Sequence, residues 1–122
     1  MKEDHLNSHL VCNARSPLIS NGKLREELIL YAIRPEQVGP LIRDFAAISG
    51  KQIDPDADVS ALSGGQKVLL MVLLALNSPA RSILFLDLWH SLDEQNQSRI
   101  KKLLDESNAD KEIKLRDSSD ED

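Results

Sequence analysis

The chain has 122 residues, 41% of them hydrophobic but only 3% aromatic, and a formal net charge of −5. That length suits one small domain with a core of Leu, Ile, Val and Ala, and the acidic balance makes nucleic acid an unlikely partner. Cys12 is the single cysteine, which excludes an internal disulfide framework and suggests a reducing, cytoplasmic setting.

Residues 1–20 read as an irregular segment with a short strand at HLVC (9–12). The polar start MKEDHLNSHL does not read as a signal peptide. NGKLREELILYAI then places Leu24, Leu28 and Tyr31 at helical spacing. RPEQVGP reads as a break, and Pro40 as the first turn of a second helix with Leu41, Ile42, Phe45 and Ile48 on its apolar face. Gly50 is its expected stop.

KQIDPDADVSA is a polar loop, and a third helix is expected over 64–77, ending before SPAR. It contains the longest apolar run, VLLMVLLAL (68–76), which is too short to cross a bilayer, so direct membrane insertion is not expected. SILFLD reads as a buried strand. A fourth helix is expected from Leu92 to Ser107, capped by Ser91 with Glu94 three residues on. KEIKL reads as one more strand, and residues 116–122 as a disordered acidic tail. The whole is an α/β, helix-rich arrangement, with residues 21–115 as the domain.

ALSGGQKV (61–68) holds the most informative tetrapeptide, Ser63-Gly64-Gly65-Gln66. A capping box explains Ser63 and Gln66. It does not explain paired glycines, each of which costs a helix about 1 kcal/mol against Ala. Bare amides at a helix start, with the helix dipole behind them, suit a phosphate that approaches closely. One helix later, Asp87 ends an apolar strand, the position where α/β proteins place metal and phosphate chemistry. Ser91-Leu92-Asp93 then opens the next helix.

In this order the segments resemble ATP-binding cassette (ABC) ATPases. LSGGQK is similar to the family's signature motif, SILFLD to its Walker B strand and SLD to its D-loop. SPLISNGKLREELILYAI resembles the entry to the family's helical subdomain, which sets Asn13 near the Q-loop glutamine. The resemblance implies an incomplete cassette: the helical subdomain plus two or three strands of a RecA-like core. It also implies that Ser63, Gly64, Gly65 and Gln66 form the trans half of an ATP site. Asp87 is Walker B-like, and Ser91, Leu92 and Asp93 are D-loop-like.

The pattern has gaps. No G-x-x-x-x-G-K-[ST] phosphate loop occurs. PLISNGKL has Pro17 for its first Gly and Leu24 for its hydroxyl residue, and FAAISGKQ fails likewise at Phe45 and Gln52. Leu88 stands where the family has a glutamate, and Leu cannot take a proton. His90 reads as a loop histidine without a visible partner, and Trp89 as a packing residue. KLRDSSDED supplies no switch histidine. No catalytic residue and no metal ligand is therefore assigned.

The expected function is a truncated or degenerate ABC-type segment that lends its signature in trans to a partner cassette, with no hydrolysis of its own. ATP and Mg would be met only at the interface shared with that partner. The expected partner is a complete ABC ATPase subunit or a membrane transport complex, to which this chain is peripheral. A non-catalytic protein-binding remnant is the alternative. SGGQKV is also similar to soluble ABC proteins that act on ribosomes. An active hydrolase with an unrecognised phosphate loop is the least favoured reading.

Overall fold

The computed structural model of the chain describes residues 9–90, 92–108 and 110–117. Among these, three parallel strands and four α-helices form an α/β unit, in the order β1 (His9–Asn13), α1 (Leu24–Leu30), α2 (Pro35–Ser49), α3 (Gly64–Asn77), β2 (Ser82–Leu86), α4 (Glu94–Ser107) and β3 (Glu112–Arg116). A 3-10 turn at Val59–Ala61 precedes α3. The arrangement is compatible with part of a RecA-like fold.

The sheet runs β1-β2-β3, with Cys12 opposite Phe85 and Phe85 opposite Leu115. Alternation along the strands divides its two faces. Leu10, Cys12, Ile83, Phe85 and Ile113 turn towards the helices and join the core. Val11, Leu84 and Leu86 share the opposite face, where Val11 is 61% exposed. An all-parallel sheet is normally covered on both faces; among the described residues, helices cover one.

The centre of the core is α3. Its residues Val68 to Ala75 are all buried, because the helix packs against α2, α4 and β1 together and so needs an apolar surface all round. Each buried Leu contributes roughly 1.5–3 kcal/mol. On α1, Leu24, Leu28 and the following Tyr31 are all buried, as their spacing requires. No helix among the described residues is long and apolar enough to cross a membrane.

β1 covers the strand expected at HLVC and extends it by Asn13. Two helix starts differ from the sequence reading. The second helix starts at Pro35, five residues before Pro40. Pro35 occupies the first turn, where its missing N–H is no loss, and Gln37 Oε1 accepts the Arg34 amide at 3.3 Å. Pro40 lies inside the helix and removes one backbone bond there, a loss offset by full burial of Leu41 and Phe45.

The fourth helix starts at Glu94, and its cap is Asp93: the carboxylate accepts the Asn96 amide at 2.8 Å. The expected cap, Ser91, lies outside the described residues. So does most of the predicted acidic tail, since β3 runs through Arg116 and the description ends at Asp117.

Candidate functional site

Asp58 holds the approach to α3 in place by accepting the backbone amide and the hydroxyl of Ser60 at 3.0 and 2.6 Å. Those two bonds keep its carboxyl below the usual carboxylate range. The same segment is tied to the start of α1 by Val59 N to Gly22 O at 2.7 Å and Leu24 N to Ala57 O at 2.9 Å. Leu62 is buried, so the chain enters α3 at a fixed angle.

At the helix start the capping box is complete. Ser63 Oγ accepts the Gln66 amide at 3.2 Å, and Gln66 Oε1 accepts the Ser63 amide at 3.0 Å. A hydroxyl that accepts in this way keeps its own proton to donate. Ser63 and Gly64 are exposed, and Gly65 and Gln66 are half-buried. A Cβ built on Gly64 would meet nothing within 4 Å. Nothing inside the protein therefore requires glycine at 64.

Ser63, Gly65 and Gln66 share an open depression of about 460 Å³ with Asp93, Asn96 and Arg99 from the start of α4. Two helix N-termini thus face one space, and both present positive dipole ends to it. Arg99 Nη1 donates to Ile48 O at 2.6 Å. The structure brings the signature-like Ser63, Gly65 and Gln66 together with one D-loop-like residue, Asp93, here. Of the D-loop-like residues, Asp93 is an exposed cap, Leu92 is buried, and Ser91 is outside the description.

Asp87 and Asn13 belong to a second place, the carboxyl edge of the sheet. Asp87 follows the central strand, 3% exposed and with φ 56°. Its Oδ2 accepts Arg15 Nε at 2.9 Å. Asn13 ends β1 beside Leu86, and its side chain accepts the Arg15 amide at 2.9 Å, so it serves the turn that delivers Arg15. Among the described residues, the cavity holding Asp87 shares no lining residue with the one holding Ser63.

His90, read from sequence as a histidine without a partner, has two carboxylates beside it. Its Nε2 lies 3.1 Å from Asp117 Oδ1 and 3.7 Å from Asp87 Oδ1. The 27-residue separation of His90 and Asp117 left no local signal. Leu88 is buried core and Trp89 packs against that core, in keeping with the sequence reading of Trp89.

The near-miss phosphate loop has a definite job. Around PLISNGKL, the amides of Ile19, Ser20 and Asn21 donate to the fully buried Glu27 carboxylate at 3.0, 2.5 and 2.9 Å, and Ser20 Oγ adds a bond of 2.6 Å. These amides already hold an anion from the protein itself. FAAISGKQ is the carboxyl end of α2, with Gly50 at φ 78° as its left-handed cap, and that dipole end repels phosphate.

No protein-family model matches the chain, and a search of curated proteins finds no match.

Proposed function

We propose that this chain is a degenerate ABC-type segment whose α3 N-terminus meets the γ-phosphate of an ATP held by another subunit. The observation that carries this reading is the exposed Ser63-Gly64 start, where the fold itself makes no demand for glycine. In the proposed complex Ser63 Oγ donates to a phosphate oxygen, and the amides of Gly64 and Gly65 add donors at the positive end of the dipole. Gln66 keeps Ser63 in its capping position. ATP and Mg would be held mainly by a complete ABC ATPase partner, in a transport complex or in a soluble ribosome-associated assembly.

A non-catalytic protein-binding module is the second reading, favoured by the exposed Val11 on the sheet face that no described helix covers. One experiment separates the two. The immobilised chain is offered complete ABC ATPase subunits with ATP, with a slowly hydrolysed analogue and without nucleotide. Nucleotide-dependent capture, and a partner ATPase rate changed at least tenfold by Ser63→Arg, fit the first reading, since one transition-state donor is worth about 10²–10³ in rate. Capture that is equal with and without nucleotide, and indifferent to Ser63→Arg, fits the second.

A further inference from the structure

We propose that Asp87, His90 and Asp117 form a binding site for a divalent transition-metal ion of the Zn²⁺ class, independent of the nucleotide role proposed for α3. Three features of the fold bring these residues together. The turn after β2 closes through His90 N to Asp87 O at 3.3 Å, which puts the two side chains on one side of it. The sheet ladder continues one residue past the strands through Asp87 N to Arg116 O at 2.9 Å. That bond sets Asp117 beside the turn. The place is the carboxyl end of a parallel sheet, where ligands of α/β proteins bind.

The donor atoms have the right separation. Asp87, His90 and Asp117 each offer one donor atom, and the three atoms lie within 4.8 Å of one another. Ligand atoms about 2.0–2.1 Å from a tetrahedral Zn²⁺ stand roughly 3.3 Å apart. The two distances from His90 Nε2, 3.1 and 3.7 Å, bracket that value.

The charges agree as well. Two carboxylates face one imidazole nitrogen, and a divalent cation can be shared by all three donors. Arg15 holds Asp87 through Oδ2, an outer contact of the kind that orients a metal ligand. An imidazole with two carboxylates suits Zn²⁺ and its neighbours better than Mg²⁺ or Ca²⁺. The side chains of His90 and Asp117 are 46% and 43% exposed, so an ion has a way in. The cavity of about 180 Å³ between Leu88, Trp89 and Leu115 leaves further coordination positions for water or substrate, as in open zinc sites.

The test uses the full chain, stripped with a chelator and titrated with Zn²⁺, Mn²⁺ or Mg²⁺ alone. The readouts are competition with a chromogenic chelator and the fluorescence of Trp89, the single tryptophan, which lines the site. One equivalent of Zn²⁺ should bind. His90→Ala and Asp117→Asn should each weaken it at least tenfold, with unchanged circular dichroism, and His9→Ala should leave it unchanged. Zn²⁺ bound equally by His90→Ala, or no Zn²⁺ taken by the protein from the chromogenic chelator, overturns the proposal. Tighter binding of Mn²⁺ or Mg²⁺ than of Zn²⁺ overturns the metal class. Neither nucleotide nor partner enters the assay, so its failure leaves the α3 reading standing, and failure of that reading leaves this site standing.

Discussion

Glu27 shows how much a single side chain can organise. It is fully buried, and its carboxylate collects three backbone amides and one hydroxyl from residues 19–21. Charge-assisted bonds of this kind are the strong ones. Glu27→Gln should lower unfolding free energy by about 2–4 kcal/mol in urea titration, because buried amides lose their shared acceptor. Cys12 is the opposite case. Burial pushes its thiol up to about 12, although a hydrogen bond with Tyr31 opposes the shift, so it should resist a thiol reagent at neutral pH until denaturant is added. Ser63 and Gly64 separate stability from function. Ser63→Ala should cost about 1 kcal/mol through the lost cap. Gly64→Ala should hold or raise stability by up to about 1 kcal/mol, while lowering any stimulation of a partner ATPase.

At the scale of elements, the start of α3 depends on a turn outside it. Asp58 caps Val59–Ala61, and its carboxyl is lowered chiefly by the two bonds from Ser60. A lowered carboxyl contributes stability above the ordinary carboxylate range and loses it as the pH falls through the folded value. Asp58→Ala should therefore be less stable than the parent at about pH 7, and the difference should close towards about pH 3, in paired urea titrations. Lys111 plays a similar part for β3. Its Nζ donates to Ser78 O at 2.8 Å and to Ala80 O, which ties the strand to the end of α3. Burial lowers its pKa, against a raising contribution from Asp110.

For the whole molecule, the open sheet face dominates. Among the described residues, Val11 is largely exposed, Leu84 and Leu86 are half-buried beside it, and β1 and β3 are the sheet edges. Apolar faces and unpaired edges of this kind draw other protein surface. The native chain should bind an apolar dye and associate with rising concentration in sedimentation. Val11→Lys should reduce both without lowering Tm, because that side chain adds nothing to the core.

What the sequence determined alone was local. Helical spacing located Leu24, Leu28 and Tyr31, and S-x-x-Q located the cap at Ser63, because partners three or four residues apart meet in any helix. SILFL was legible as a strand because an apolar run of that length bounded by polar residues suits burial between neighbours. Pro35 and Asp93 were misplaced, since each competed with an equally good nearby signal, Pro40 and Ser91. Only the tertiary structure decided that Glu27 would fill the amides of 19–21, that Val11 would be left exposed on the sheet, and that His90 would meet Asp117. Those pairings rest on the register of parallel strands joined by long crossovers, and no local periodicity encodes which distant residue a ladder sets beside another.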